Sequence, residues 1–248
     1  MAYEVAVYYD EIGLKGKNRP FFEKTLCRNI SSILGSIDKV KVRPTFGRII
    51  LQAESELKWP AVKEMLSCVF GIAHFGRIKR CPADLEAIVN TALSSAPKQE
   101  ETTFAVKATR VDKNFPHRSI DICRSVGSAI GKSLSWKVNL SDPQNVCSIV
   151  VFSKEALVGW ERVPGPGGLP LGVSGSVVCL ISGGIDSPVA AWRIMRRGAL
   201  PVFAHFHSYP FTEKSSQETA KRLVRLLLKG QPARPLYLIP LGEIQQRI

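Results

Sequence analysis

Apolar residues near the start of the chain follow first a strand pattern and then a helix pattern. Residues 3–8 predict a strand, and residues 18–34 repeat apolar side chains such as Leu26 and Ile30 at helical spacing. Residues 39–53 predict two short strands around a turn. This β-α-β-β order predicts a small open sheet with a helix on one face, over residues 1–60.

The pattern over residues 61–163 predicts a second α+β domain. Phe104, Val106 and Ala108 alternate with Lys107 in one of its strands, which predicts that only one strand face is buried. Ser119 is predicted to cap the helix that follows. The predicted helices cover 60–72, 82–96 and 119–136, and the predicted strands cover 73–81, 102–111, 145–153 and 156–163.

Strands alternate with helices in the last part of the chain, residues 177–248. Residues 164–176 are rich in glycine and proline and predict a linker. The alternation after it predicts βαβ units and a parallel α/β sheet. Its first strand, 177–181, is apolar throughout, as suits a central strand. The whole fold is therefore expected to be an α+β half followed by an α/β domain.

The sequence "SGGIDS" lies between the first strand and the first helix of that α/β domain. Ligands collect there because strand ends meet helix N-termini with unpaired N–H groups. Gly183 and Gly184 are expected to allow positive φ and close approach of an oxyanion, with hydroxyls from Ser182 and Ser187. Asp186 suits a Mg²⁺ ion that bridges phosphates. The alternative is a tight glycine turn with Asp186 as a helix cap.

Charge and cysteine content narrow the class of protein. Lys and Arg number 34 against 21 Asp and Glu, a net charge of +13, which favours a polyanionic partner but does not require one. The six cysteines form no CxxC pair, so buried cysteines in a reducing compartment are expected. The chain shows no apolar run of membrane length and no signal-peptide pattern at its start, so a soluble cytoplasmic protein without a membrane partner is expected.

Four motifs occur in the order seen in one enzyme family: residues 11–23, 165–175, 180–192 and 205–211. Together they resemble the tRNA 4-thiouridine synthetase (ThiI) family of tRNA sulfurtransferases, which also serve thiazole formation for thiamine. The resemblance covers essentially the whole chain. It implies a ferredoxin-like domain, a THUMP domain and a PP-loop ATP pyrophosphatase domain.

The resemblance implies a nucleotide site and a two-stage reaction. ATP activates the C4 oxygen of a uridine in tRNA, and a persulfide sulfur, supplied by a donor such as a cysteine desulfurase, displaces AMP. The loop from Ser182 to Ser187 would hold the pyrophosphate, with Asp186 near Mg²⁺. The other implied ATP contacts are Leu180, Ile181, His205 and Phe206. From the residues alone, His205 and His207 could also be metal ligands or ordinary polar loop residues.

The resemblance also implies tRNA binding by the first two domains. Basic residues cluster around residues 107–118, and "GLKGKNR" is a second basic stretch. Each residue alone could be a solvated surface charge, and the second stretch could be a plain turn. The candidate phosphate contacts are Lys15, Lys17, Lys107, Arg110, Lys113, Arg118 and Arg124.

The sequence departs from the family at its end. The family's PP-loop domain continues beyond the equivalent of residue 248, with further nucleotide contacts and the sulfur-carrying cysteine. The strand 177–181, left at a sheet edge, would be prone to pairing. Two further hypotheses therefore stay open: a non-catalytic tRNA-binding protein with a truncated PP-loop domain, and a PP-loop ligase for a small molecule. A homodimer also stays open.

Overall fold

The computed structural model describes residues 3–211 and 213–247, and contacts divide the chain into two compact units. The first unit takes in residues 1–7, 50–56 and 75–163, and the second takes in 8–49, 57–74 and 164–248. The strands are β1 Tyr3–Tyr8, β2 Val40–Thr45, β3 Arg48–Ala53, β4 His74–Pro82, β5 Thr103–Arg110, β6 Lys137–Val138, β7 Asn145–Val151, β8 Glu155–Gly159, β9 Val163–Pro164, β10 Ser176–Leu180, β11 Leu200–His207 and β12 Leu236–Pro240. The helices are α1 Arg19–Leu34, α2 Trp59–Leu66, α3 Leu85–Ser94, α4 Ser119–Leu134, α5 Asp186–Arg196, α6 Ser215–Leu227 and α7 Gly242–Gln245, with 3₁₀ turns at Glu11–Leu14, Gly16–Asn18 and Glu56–Lys58.

The first unit is a mixed sheet on which α3 and α4 pack. Its strands run in the order β3-β1-β4-β8-β7-β5-β6, with β5 parallel to β7 and β7 antiparallel to β8. Ile122, Val126 and Ile130 recur along α4 and are fully buried against Phe104 of β5. This spacing of four residues places them on one helix face, so the α+β prediction for this part of the chain is confirmed.

The cap of α4 differs from the prediction. Ser119 is the first residue inside the helix, and Arg118 takes the capping position with extended backbone. The carboxylate of Asp121 accepts a hydrogen bond of 3.1 Å from the Arg118 backbone N–H. The prediction that Ser119 caps the helix was therefore wrong, because an acidic residue three positions after the cap satisfies the exposed amide instead.

The second unit contains a parallel sheet of the predicted α/β type. Its strand order is β10-β11-β12, and both strand pairs are parallel. Met195 of α5 and Val224 of α6 pack with Phe203 of β11 in one buried cluster. The helices therefore cover the sheet face that carries Phe203, Cys179 and other buried side chains.

Strand β10 lies at the edge of this sheet and not in its centre. Among the described residues its only strand partner is β11, with Cys179 opposite Phe203. Alternate residues point to the face away from the helices, so Val178 is 63% exposed and Leu180 61% exposed. The strand therefore has the apolar composition of a central strand and lies at an edge of the described sheet, as expected for this chain.

The glycine- and proline-rich segment 164–176, here called the strap, is held by backbone hydrogen bonds. Gly167 exchanges two bonds with residues 71–72, at 2.9 and 2.8 Å. Leu169 N–H donates to the carbonyl oxygen of Arg196 at 2.9 Å, at the end of α5. Asn29 on α1 donates its side-chain N–H to the Leu171 carbonyl oxygen at 2.9 Å. The predicted domain boundaries at 60, 163 and 176 stay a prediction.

Within the described ranges, no helix is long and apolar enough to cross a membrane.

Candidate nucleotide-binding site

The loop that joins β10 to α5 lies where the parallel strands of the second unit end. Helix α5 begins at Asp186, and Ile185 takes the capping position without a side-chain hydrogen bond. Residues 182–186 are all exposed. The N-terminal amides of α5 and the positive end of its dipole therefore meet solvent beside the loop, which is the local chemistry of an anion site.

The two glycines of the loop leave open space without a left-handed backbone. Neither Gly183 nor Gly184 has a positive φ, so the prediction of positive φ was wrong. A Cβ at Gly183 would meet nothing within 4 Å, and one at Gly184 would meet only the Ser182 hydroxyl at 3.5 Å. No described residue accepts a hydrogen bond from the Gly183 N–H. The absence of side chains thus keeps the space beside these amides accessible to a ligand.

The hydroxyls of Ser182 and Ser187 close the loop. Ser182 N–H donates to Ser187 Oγ at 3.0 Å, and the two hydroxyl oxygens lie 3.1 Å apart. Gly184 N–H lies 3.3 Å from Ser182 Oγ. One hydroxyl proton is used in the contact between the two hydroxyls, so the second hydroxyl proton remains available to a bound oxyanion. This side-chain closure explains why the turn needs no positive φ.

The carboxylate of Asp186 is exposed at the first residue of α5. It makes no hydrogen bond or ion pair with the described residues. The helix-cap alternative therefore lacks the contact that would define it. An exposed carboxylate without a partner among the described residues has the chemistry to hold a Mg²⁺ ion, since this ion takes one or two carboxylates plus substrate phosphates.

The ends of β10 and β11 place the other predicted nucleotide contacts in two environments. Leu180 and Phe206 are exposed and share the sheet face away from the helices, since Leu180 pairs with Ala204 in register. Ile181 and His205 are buried on the other face. The N–H of Ile181 donates to the Ala204 carbonyl oxygen at 2.8 Å. An apolar ring can therefore contact Leu180 and Phe206 but not the side chain of Ile181.

His205 makes a contact that the sequence pattern did not reveal. Its Nδ1 lies 2.7 Å from the Ile181 carbonyl oxygen, and its Nε2 is buried with no partner among the described residues. A carbonyl oxygen can only accept, so Nδ1 carries the proton of this hydrogen bond. His207 accepts from the Tyr209 N–H at 3.3 Å, and the described part of the chain holds no metal-type cluster of His, Cys, Asp and Glu.

The predicted RNA contacts of the first unit do not share one surface. Arg110 donates to the carbonyl oxygens of Phe115 and His117 at 3.1 and 3.2 Å, so its guanidinium orders the loop that carries Lys113. Lys107 alternates with the buried side of β5, so it lies on the sheet face opposite α4. Arg118, paired with Asp121, and Arg124 are exposed at and within α4. The structure therefore brings Arg110, Lys113 and Arg118 together at one loop. Lys107 lies on the sheet face opposite α4, and Arg124 lies on α4 itself.

The predicted contacts Lys15 and Lys17 lie in the second unit, beside an open cavity of about 420 Å³ that Lys17 lines. Arg19 at the start of α1 donates to Tyr9 and Glu23 at 2.8 and 2.9 Å, and the Tyr9 hydroxyl donates to Glu23. Burial and the bond to the Glu23 carboxylate raise the pKa of Tyr9 to about 12. This cluster fixes the turn that carries the two lysines.

The cysteines are free thiols and differ in exposure. Cys81, Cys147 and Cys179 are buried, and the other three are partly buried. Burial raises the pKa of Cys147 to about 12 and also raises the pKa of Cys179. A thiol with a raised pKa has little thiolate at neutral pH, so neither residue has the environment of a sulfur-carrying nucleophile.

Comparisons with known proteins cover nearly the whole chain. Residues 4–76 match the profile described as "ThiI ferredoxin-like domain", residues 82–161 match "THUMP domain", and residues 172–248 match "Thiamine biosynthesis protein (ThiI)". A relative from Brevibacillus brevis named "Probable tRNA sulfurtransferase" is 37% identical over 100% of this chain and 63% of its own length. One from Thermus thermophilus with the same name is 40% identical over 97% of this chain and 59% of its own length.

Solved structures also match this chain over nearly its whole length. A 4-thiouridine synthetase in complex with RNA and bound ATP matches with a TM-score of 0.84 and 31% identity, over 100% of this chain and 64% of that one. PH1313 from Pyrococcus horikoshii matches with a TM-score of 0.80 and 25% identity, over 99% and 82%. The fold and the loop define a THUMP-domain protein with a PP-loop nucleotide-binding domain. The chain belongs to the ThiI family, and it spans less than two thirds of the length of these two curated relatives.

Proposed function

We propose that this chain is the tRNA-binding and ATP-binding part of a tRNA sulfurtransferase that makes 4-thiouridine. The observation that carries the proposal is the exposed loop 182–186 at the N-terminus of α5, where the Gly183 amide and the Asp186 carboxylate have no partner among the described residues. The relatives' names and the ATP-bound, RNA-bound structural match support it. The family name also links the protein to thiamine biosynthesis.

Different residues of the loop and the neighbouring strand ends bind different parts of ATP. The amides beside Gly183 and the free hydroxyl proton of the serine pair bind the β- and γ-phosphates, which the dipole of α5 favours. Asp186 would hold Mg²⁺, and the ion would lower the charge on the phosphates that leave as pyrophosphate. Leu180 and Phe206 contact the adenine, because both are exposed apolar side chains on one face at this end of the sheet.

Transfer of sulfur needs three displacements. The C4 oxygen of the uridine attacks the α-phosphorus of ATP, and the bond to the β-phosphate oxygen breaks, so pyrophosphate leaves. The terminal sulfur of a persulfide anion then attacks C4, and AMP leaves with the original oxygen. A thiolate next attacks the donor's inner sulfur, so the S–S bond to the C4 sulfur breaks, 4-thiouridine is released and a disulfide forms on the donor. The pKa values of Cys27, Cys81, Cys147 and Cys179 are raised, so these thiols do not fit the sulfur-carrying role. The sulfur then passes through another thiol, which a donor such as a cysteine desulfurase supplies.

The basic residues of the chain supply the RNA-binding half of the proposal. The net charge of +13 attracts the phosphate backbone, and the THUMP match spans residues 82–161. Lys113 is exposed in the loop that Arg110 orders, so its side chain is available to phosphates. Arg118 is exposed beside it but already pairs with Asp121, so a phosphate would share or replace that ion pair. Lys15 and Lys17 form a second candidate contact on the other unit.

The nucleotide site is tested by Mg²⁺-dependent ATP binding to the purified protein. We expect Asp186→Ala to lower the affinity for ATP about tenfold or more with Mg²⁺ and to change it little without the ion. Glu218→Ala is the matched control, because Glu218 is a carboxylate in the first turn of the neighbouring helix α6. Isothermal titration with ATP, with Mg²⁺ or with EDTA, measures both effects.

If the wild type, Asp186→Ala and Glu218→Ala bind ATP with equal affinity in the presence of Mg²⁺, Asp186 takes no part in ATP binding. The activity itself is tested by the 4-thiouridine content of tRNA, measured by mass spectrometry in cells that lack the gene and are complemented with the wild type or with Asp186→Ala. Restoration of 4-thiouridine by the wild type alone is expected. Restoration by neither protein, with tRNA binding intact in a gel shift, would favour the non-catalytic tRNA-binding protein.

A further inference from the structure

A second basic surface lies on the PP-loop helix, at the end away from the loop. Trp192, Arg193, Arg196 and Arg197 are exposed, while Ala191 and Met195 of the same helix are buried. Trp192 and Arg196 are four residues apart, as are Arg193 and Arg197, so the four side chains form two adjacent columns on one helix face. With Glu11 they line an open cavity of about 410 Å³, all within the second unit, and this group of five residues is here called the α5 patch.

The aromatic residue of the α5 patch is held in a fixed position. Trp192 packs edge to face against Phe70, with 5.6 Å between ring centroids, and Phe70 is 2% exposed. The guanidinium of Arg196 lies 5.5 Å from the centre of the Trp192 ring. A guanidinium plane supported by a fixed indole is a surface on which a nucleobase stacks at low entropic cost.

The other two arginines of the α5 patch differ in their partners. Arg197 donates to both carboxylate oxygens of Glu11, at 2.8 and 3.1 Å, so its charge is balanced and its position is set. Arg193 makes no ion pair with any described residue, and neither does Arg196. Two uncompensated guanidinium groups therefore face the cavity beside a neutralised one, and phosphate oxygens match their paired N–H donors.

The arginines are not needed to satisfy the end of the helix. Arginine side chains near a helix C-terminus often serve its unpaired carbonyl groups. Here the strap does so, because Leu169 N–H bonds to the Arg196 carbonyl oxygen and the Ser174 hydroxyl bonds to the Arg197 carbonyl oxygen at 2.7 Å. The guanidinium groups of Arg193 and Arg196 are thereby left for a ligand.

We propose that the α5 patch is an RNA-binding surface, in which Arg193 and Arg196 bind backbone phosphates and a base stacks on the Arg196–Trp192 pair. This inference rests on the proposed function, since it adds a contact for the same tRNA on the nucleotide-binding unit. Residues 173–248 carry ten basic and four acidic residues, so the charge around the patch favours the same partner. RNA is favoured over an acidic protein because it supplies phosphates and flat bases together.

The test compares three double variants in a fluorescence anisotropy titration with unmodified tRNA at several salt concentrations. R193A/R196A is expected to weaken binding about tenfold and to lower the slope of log affinity against log salt by about two. R222A/R225A, which removes two exposed arginines from α6 of the same unit, is the matched control and is expected to change both values far less. The charge-conserving R193K/R196K variant should restore the slope.

Each alternative result has a distinct meaning. If the wild type does not bind tRNA, the tRNA-binding part of the proposed function fails. If the wild type binds and the two alanine variants behave alike, only the α5 patch is overturned. Poly-glutamate that competes as well as poly-uridylate of equal charge would assign the patch to an acidic protein. Trp192→Phe should remove part of the tryptophan quenching caused by RNA, and unchanged quenching would overturn the stacking contact.

Discussion

The Nδ1 nitrogen of His205 lies 2.7 Å from the main-chain carbonyl oxygen of Ile181 and joins the ends of β10 and β11. The Ile181 N–H donates to the Ala204 carbonyl oxygen at 2.8 Å, so both backbone groups of Ile181 are bonded to β11. His205 is 4% exposed and Ile181 is 3% exposed. Because the nucleotide loop begins at the next residue, Ser182, this contact fixes the point from which the loop departs.

Two substitutions of His205 distinguish the contribution of its hydrogen bond to stability from the contribution of its volume. His205→Asn places an amide N–H near the position of Nδ1, whereas His205→Leu has similar volume and no donor. We expect His205→Leu to be less stable than His205→Asn by about 1–3 kcal/mol, because the buried Ile181 carbonyl oxygen loses its side-chain partner. Urea unfolding of the two variants measures the difference, and equal stability would show that the contact contributes nothing.

Local periodicity was enough to predict most elements of the chain. The strand predicted at 3–8 is β1, and the helix predicted from its apolar spacing near Leu26 and Ile30 is α1. The alternating strands and helices after the strap form the predicted parallel sheet. These features depend on residues close in sequence, which is the range over which amphipathic patterns act.

The features that the sequence did not reveal depend on residues far apart in the chain. The positions of Lys107 and Arg124 on different faces follow from how α4 packs on β5. The two glycines of the nucleotide loop suggested a positive φ. The loop is instead closed by the hydrogen bond from the Ser182 N–H to Ser187, and Gly183 has no positive φ. No local sequence pattern predicts the contact of His205 with Ile181. The sequence around a histidine in a strand is the same whether or not its side chain has a hydrogen-bond partner.

Two glycines in the second unit should respond in opposite ways to alanine. Gly183 has open space around a built Cβ and no positive φ, so Gly183→Ala should fold with stability equal to or about 0.4–1 kcal/mol above the wild type. Its methyl group would enter the space beside the loop amides, so ATP affinity should fall. Thermal unfolding and isothermal titration with Mg²⁺ and ATP measure the two effects.

Gly168→Ala is the contrasting variant in the strap. Gly168 has φ +76°, and its Cβ would lie 2.3 Å from the carbonyl oxygen of Arg196. A non-glycine residue there combines backbone strain with a clash against fixed backbone, so stability should fall by about 1–3 kcal/mol or more. If Gly183→Ala instead destabilises the protein as Gly168→Ala does, then Gly183 serves the fold and the loop loses its main support as an anion site.

The cap of α4 predicts a stability effect that depends on pH. The hydrogen bonds from the side chain and backbone of Arg118 hold the pKa of Asp121 below its usual value. A carboxyl group whose pKa is lower in the folded state stabilises the protein above its unfolded pKa of about 3.9 and loses that contribution as the pH falls through the folded value. Asp121→Asn should therefore lower the melting temperature at pH 7, and the difference from the wild type should shrink towards zero below about pH 3.

Ser119→Ala is the control for this cap, because Ser119 lies one residue inside the helix and supplies no capping hydrogen bond. Its melting temperature should stay near that of the wild type at both pH values. The cap of α3 is a separate hydrogen bond of 3.0 Å from the Ala87 N–H to the exposed Asp84 carboxylate. This bond should stay intact in both variants. A loss at pH 7 in Ser119→Ala as large as that in Asp121→Asn would mean that the serine hydroxyl caps α4 in solution, and the bond between Asp121 and Arg118 would then not determine where the helix begins.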